Sequence, residues 1–359
     1  MKICFVSHRI TNPITGGEIY NDALIDSAKL AGFQVENWEG IAWDRIKNVV
    51  LRIIWMNLLY LFKTMFLHKG NIIILDTDFH ARSIFALLLA RIKGIKVIGL
   101  VHHYSFLFDK GPFANFVHYN LEKFVTNRFD YMIINSSFSY RVFIDLCHKK
   151  IPYTILSPFT QTQKAPAQKV KFNPETLCLI QVGTLEDRKN VINVIKAVSP
   201  LKIDYRLNFV GHCYSEQYLS KINSLIDYYS LHGKIILHGK VSNELLHQLY
   251  LESSAFVLVS KLEGYGIVYT EAMQYGLPII GSTIGAVPDL VEDGVNGFLC
   301  DPHNPAQITE AILKLTDKNT WNRIHYNNLE KAQTFMDKNS FIECGRTIFN
   351  NLRDFNFLG

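Results

Sequence analysis

A chain of 359 residues, 48% hydrophobic and 19% charged, carries enough apolar material for two domains with cores of their own and is not a disordered segment. Its formal net charge of +5 suits an anionic ligand or an anionic membrane surface and is too small to argue for nucleic acid. Six cysteines (Cys4, Cys147, Cys178, Cys213, Cys300, Cys344) are scattered without a C-x-x-C pair and read as buried free thiols of a reducing, cytoplasmic setting.

The first apolar run, residues 3–7, is too short for a signal peptide and reads as a strand. The longest apolar stretch, 49–62, is broken by Arg52 and Asn57, short of the roughly 18 residues a spanning helix needs. Further strands are expected at 72–75, 97–101 and 131–135, then at 177–182, 207–210, 235–237, 255–259 and 278–280, alternating with helical stretches throughout. Such alternation predicts parallel sheets covered on both faces. The pattern restarts after the polar stretch 161–169, which reads as a linker. The fold expected is therefore two doubly wound Rossmann-like domains facing across a cleft, with ligands beyond the carboxyl ends of the strands.

After the first strand, Gly16 and Gly17 close a turn-rich loop before a helix expected over 18–31, and paired glycines let the backbone approach a ligand closely. Residues 45–70 form a long helical, apolar stretch with Arg45, Arg52 and Lys63 on one face and no acid between Asp44 and Asp76. That pattern fits an interfacial helix on an anionic membrane, or else helices packed in the core. Asp76 and Asp78, two apart at a strand end, could hold a divalent cation or simply line a cleft. His102 and His103 follow the next strand at its carboxyl end, where an imidazole can reach a sugar hydroxyl or move a proton.

In the second half Gly183 closes a strand, and the basic pair Arg188–Lys189 is expected at the start of the following helix. Cations there oppose the helix dipole unless both face an anion such as a diphosphate. The loop before Ser242, including Val241, could grip a nucleobase edge with its backbone. The apolar run ending at Ser260 then feeds into Glu263, Gly264, Tyr265, Gly266, Ile267, Val268, Tyr269, Thr270 and Glu271. A helix is expected over 271–275, ended by Gly276, so two carboxylates flank a glycine turn whose amides suit a phosphate. Phosphate in the middle and hydroxyls at both ends describe a nucleotide sugar.

Together these residues resemble the retaining glycosyltransferases of family four, which have the GT-B fold; the most specific part is the pair of glutamates with seven residues between them, in the context 260–278. The resemblance implies that Glu263 binds hydroxyls of the donor sugar, Glu271 the ribose, the amides of Gly266, Ile267 and Val268 the distal phosphate, and Arg188 with Lys189 the diphosphate. It also implies that Gly16 and Gly17 close over the donor and that His102, rather than His103, contacts the sugar near the reacting carbon. Thr184 stands where arginine is frequent, Val268 where proline is frequent, and Asp289 in place of glutamate, with no role assigned to it.

The domains expected are 1–162, 170–334, and a C-terminal helix over 335–359 crossing back to the first domain. The activity implied is transfer of a hexose from a nucleoside-diphosphate sugar to a glycan or lipid-linked acceptor, with retention, in cell-surface polysaccharide biosynthesis. No cofactor or metal is expected. The setting expected is cytoplasmic, with peripheral contact to the inner face of the cytoplasmic membrane through residues 45–70. Two other readings are a sugar-nucleotide epimerase on the same fold and a non-catalytic partner subunit.

Overall fold

The structure, a computed structural model, describes residues 1–7, 15–38, 48–108, 111–160, 170, 172–173 and 175–354. The chain forms two compact units, Met1–Phe159 with Met336–Gly359, and Thr160–Phe335. The stretch 161–169 expected as a linker lies outside the described residues.

In the first unit the elements run β1 (Lys2–Val6), α1 (Gly16–Leu30), β2 (Gln34–Asn37), α2 (Val49–Met65), β3 (Ile72–Asp76), α3 (Ile84–Ile92), β4 (Lys96–Val101), α4 (Pro112–Thr126), β5 (Tyr131–Ile134), α5 (Ser137–Leu146) and β6 (Tyr153–Ile155). The sheet is parallel throughout, in the order β2-β1-β3-β4-β5-β6. Its strands read as unbroken apolar runs because both faces are buried. Alternate residues serve opposite layers: Cys4, Val6, Ile73 and Leu75 meet α2–α5. Ile3, Phe5, Ile72 and Ile74 meet α1 and a last helix contributed from the C-terminus.

The second unit runs β7 (Leu177–Val182), α6 (Val191–Val198), β8 (Tyr205–Val210), α7 (Glu216–Tyr228), β9 (Ile235–Gly239), α8 (Asn243–Glu252), β10 (Ala255–Val257), α9 (Ile267–Gln274), β11 (Ile279–Ser282), α10 (Val287–Leu290), β12 (Gly297–Cys300), α11 (Pro305–Lys314) and α12 (Lys318–Ala332). Its parallel sheet has the order β12-β11-β10-β7-β8-β9. One face packs on α6, α7 and α11. The other packs on α8, α9 and α10. The last helix, α13 (Lys338–Asp354), belongs to the first unit, where Phe341 and Phe349 pack edge-on against Tyr20 and Phe33.

Several elements differ from expectation. The edge strands β2 and β6 carry too little apolar alternation to be read from sequence. Helix α1 begins at Gly16, so the glycine pair forms its first turn instead of a loop. A capping box accounts for this: Thr15 Oγ1 accepts from Glu18 N and Glu18 Oε2 accepts from Thr15 N. Helix α9 begins at Ile267, four residues before the expected start, which puts Glu271 inside the helix. The basic pair Arg188–Lys189 sits in a 3-10 turn that ends at Asn190, ahead of α6 and not at its start. All six cysteines are free, but only Cys4 and Cys300 are buried as expected; Cys147, Cys178 and Cys213 are half-buried and Cys344 is exposed.

Candidate active site

In the second unit the chain leaving β10 stays buried through Ser260 and delivers Glu263, itself only 6% exposed. Burying a carboxylate alone is prohibitive, so partners must gather around it. They come from the turn after β7. Asn190 takes a left-handed conformation, and its amide donates to Val259 O at 2.9 Å and Pro302 O at 2.7 Å. Gln181 Nε2 donates to Lys189 O at 2.9 Å. With the backbone pinned at both residues, the Lys189 ammonium donates to Glu263 Oε1 at 2.7 Å. Ser260 Oγ donates to the same oxygen at 2.8 Å, and Arg188 Nη1 lies 3.4 Å from it.

Burial works to raise the Glu263 carboxyl, but Lys189 and Arg188 outweigh it and hold it down at about 2. Burial pulls Lys189 below the ordinary lysine range against the opposing pull of Glu263. Arg188 is engaged more widely: its Nη1 donates to Leu262 O at 3.1 Å and its Nη2 to Glu186 Oε1 at 2.7 Å. The basic pair expected to face a diphosphate is therefore gathered on carboxylates, and Oε1 of Glu263 collects all three of its neighbours.

Behind this node, Gly266 has φ +92°, and a Cβ there would stand 2.5 Å from the Tyr269 ring. Only glycine fits such a turn without strain. Side-chain oxygens of Thr15, Asn48, Ser136, Ser215, Ser242, Asn304 and Asp317 cap α1, α2, α5, α7, α8, α11 and α12. The starts of α3, α4, α6, α9 and α10 have no side-chain cap, and at α9 the positive end of the dipole falls at Ile267 and Val268.

Glu271, in the second turn of α9, is 8% exposed and accepts from Tyr250 Oη at 3.4 Å. Burial pushes its carboxyl up to about 7, with Tyr250 only partly opposing the shift. Tyr250 stacks on Tyr275 at 4.8 Å, and Tyr275 Oη lies 2.8 Å from His247 Nδ1.

A third loop, Gly285–Ala286, legible in the sequence as a glycine turn before a short helix but given no role, also reaches this node. Ala286 N donates to Glu263 O at 2.9 Å, and a Cβ on Gly285, which has φ +78°, would stand 2.6 Å from that carbonyl. The Gly285–Ala286 turn thus fixes the backbone of Glu263. Tyr265 and Val268 are half-buried and pack at the edge of the α8–α10 core together with Val241. Asp289 is exposed.

In the first unit the structure brings Gly17 and His102 together: a Cβ on Gly17 would lie 3.9 Å from the imidazole. His102 Nε2 is 2.8 Å from Asn21 Oδ1 and 3.5 Å from Asp76 Oδ2. Asn21 Nδ2 donates to Asp76 Oδ2 at 3.0 Å. A carboxylate only accepts, so this bond turns the amide oxygen of Asn21 toward His102 and places the hydrogen on Nε2. Asn135 Nδ2 donates to His102 O, and the ring meets Tyr20 edge-on at 5.1 Å. Asp76 is thus turned to Asn21 and His102. His103 instead meets Phe108 edge-on at 4.9 Å. No group of three or more His, Cys, Asp or Glu that could hold a metal ion occurs among the described residues.

Two six-stranded parallel α/β units, one of them holding a buried acid–base node beside an uncapped helix start, make up a glycosyltransferase of the GT-B fold. Residues 163–333 match the model of the family described as glycosyl transferases group 1. It is 26% identical, over 76% of its length and 75% of the other, to an uncharacterised 41.2 kDa protein in the cps region of Klebsiella pneumoniae. It is 29% identical over 40% of its length to O-antigen chain mannosyltransferase B of Escherichia coli, of which it spans 38%. The fold is similar to that of Anabaena HepE in complex with UDP and glucose, with a TM-score of 0.72 at 17% identity over 99% of this chain and 100% of that one.

Proposed function

We propose that the protein transfers a hexose from a nucleoside-diphosphate sugar to a glycan or lipid-linked acceptor, with retention of configuration, in the synthesis of a cell-surface polysaccharide. The observation that carries this reading is the Lys189–Glu263–Ser260 node, built next to the uncapped start of α9. Oε1 of Glu263 is committed to its three neighbours, which leaves Oε2 to accept from sugar hydroxyls. The backbone amides of Gly266, Ile267 and Val268 would hold the distal phosphate at the dipole's positive end. Glu271, with Tyr250 Oη at 3.4 Å and no cation paired with it among the described residues, would accept from the ribose hydroxyls. Val241, Gly264 and Tyr265 line the remaining donor contacts, the first at the base.

On this reading the bond between the anomeric carbon and the phosphate oxygen breaks as the acceptor oxygen bonds to that carbon, and the acceptor proton passes to the departing phosphate. Charge grows on the diphosphate, and Lys189, Arg188 and the α9 amides would neutralise it without a metal. Lys189 has two further N–H groups beyond the one on Glu263. In the first unit, Gly16 and Gly17 at the start of α1 and His102 belong to the donor-contacting set. Their neighbours Asn21 and Asp76 fix the tautomer of His102, which leaves Nδ1 as its accepting atom. A glycan acceptor fits the likeness to a protein named for the O-antigen chain. Peripheral contact of residues 45–70 with an anionic membrane belongs to the same reading, and no helix of the described residues is long and apolar enough to cross a bilayer.

The test is a panel of nucleoside-diphosphate sugars scored first by thermal shift and then by turnover, with the anomeric configuration of the product read by NMR. A ligand at 100 times its dissociation constant stabilises by about 2.7 kcal/mol. Product with inverted configuration would overturn retention, conversion of donor without acceptor would indicate an epimerase, and no shift with any nucleotide would indicate a non-catalytic subunit.

A further inference from the structure

The outer surface of the first unit's helical layer is apolar across three helices, not one. Helices α2, α3, α4 and α5 all lie on one face of the sheet and share one core, into which Met56, Tyr60, Leu87 and Val125 point. On α2 the opposite side carries Val50, Ile54, Leu58, Phe62 and Met65, each more than half or close to half exposed, spaced as one helical stripe. From 50 to 66 no polar residue is exposed. Helix α3 repeats the arrangement with Phe85, Leu88 and Ile92, the last 83% exposed. Helix α4 does so with Phe113 at 82%, Phe116 at 67% and Val117. Isolated exposed apolar residues need no explanation, but three neighbouring stripes on one layer do. In the second unit, by contrast, the exposed aliphatics Leu245, Val295 and Leu313 stand singly.

Charge follows the same division. Residues 48–150 hold thirteen Lys and Arg against six Asp and Glu, a net of +7, while the rest of the chain nets −2. Within that span Asp76 and Glu122 are buried and Asp130 pairs with Lys96, while Asp145 on α5 is exposed. Arg91, Lys149 and Lys150 are exposed around the ends of α3 and α5. A net-positive face repels a second copy of itself, which argues against self-association and for an anionic occupant. Aliphatic and aromatic side chains projecting from helices that carry basic flanks suit the boundary between headgroups and acyl chains.

We propose that α2, α3 and α4 together form a docking face for an anionic lipid bilayer. The inference rests on the membrane contact named for residues 45–70 and extends it to two further helices. The test is co-sedimentation of the full chain with vesicles of phosphatidylcholine, with and without phosphatidylglycerol, at low salt. Three variants separate the helices: Leu58→Ser with Phe62→Ser, Leu88→Ser with Ile92→Ser, and Phe113→Ser with Phe116→Ser. All six positions are exposed, so their thermal melts should match the parent's. The expected result is binding at least about 10-fold tighter to the anionic vesicles, weakened by about 10-fold or more in each variant. Transfer to a water-soluble acceptor without vesicles should be unchanged in all three, so this test stands apart from that of the transferase reading. Failure to bind anionic vesicles would overturn the proposal. So would α3 and α4 variants that bind like the parent, or a dimer in solution that the same substitutions dissociate.

Discussion

At the scale of single residues, Lys189 and Glu271 do opposite things with burial. Lys189 shares its burial with Glu263, so removing it takes away the partner of a buried carboxylate and, on the proposed function, a contact to the leaving diphosphate. A charge-assisted hydrogen bond contributes roughly 1.5–3 kcal/mol, so Lys189→Ala should lower kcat/KM by roughly 10- to 150-fold if the contact forms mainly in the transition state. The same variant should melt earlier, because Ser260 and Arg188 alone must then hold Glu263; an unchanged melt would mean that the ion pair does not form. Glu271 lacks such a partner, and its carboxyl stands at about 7. Ribose hydroxyls donating to it would favour the charged form and lower that value, so binding would release a proton. Nucleotide affinity should therefore rise with pH up to about 7 and level off above it. In the free protein the sign is reversed: the raised value gives stability below the ordinary carboxylate range that is lost as pH rises through about 7. Titration calorimetry in buffers of different ionisation enthalpy reads the proton directly, and uptake instead of release would remove Glu271 from the ribose.

At the scale of elements, what was legible followed from burial on both faces. Strands such as β3 and β7 are continuous apolar runs, and their positions could be read within a residue or two. The edges β2 (Gln34, Val35, Glu36, Asn37) and β6 could not, because one side of each meets solvent or the strand is only three residues long. The spacing of Glu263 and Glu271 was legible, but the helix start between them was misplaced: Gly266 takes the left-handed conformation that opens α9, and nothing local separates such a glycine from a plain turn. The contacts that complete each site join distant segments. Asn21 meets His102 across 81 residues and Lys189 meets Glu263 across 74, and no sequence periodicity reports such pairs. The crossing of α13 over α1 is as tight as any of these. A Cβ on Gly345 would stand 2.4 Å from Ser27 Oγ and 2.7 Å from its Cβ. Gly345→Val should cost about 1–3 kcal/mol by overpacking, read in a denaturant titration; a neutral result would mean that the two helices pack more loosely than described.

At the scale of the molecule, two parallel α/β units divide the work unevenly. The second unit holds the buried ionic node and the start of α9, while the first holds His102 with its Asn21 and Asp76 supports and the basic, apolar helical layer. The net positive charge lies in residues 48–150, which the overall value of +5 conceals. The central claim is that Glu263 of the second unit binds the donor sugar. Its most direct measurement is steady-state turnover of the preferred nucleotide sugar by the parent protein and by Glu263→Gln, which keeps the shape and removes the charge. We expect measurable transfer by the parent and a loss of at least about 100-fold in the variant, with nucleoside diphosphate still bound. Turnover by the variant at the parent's rate would contradict it.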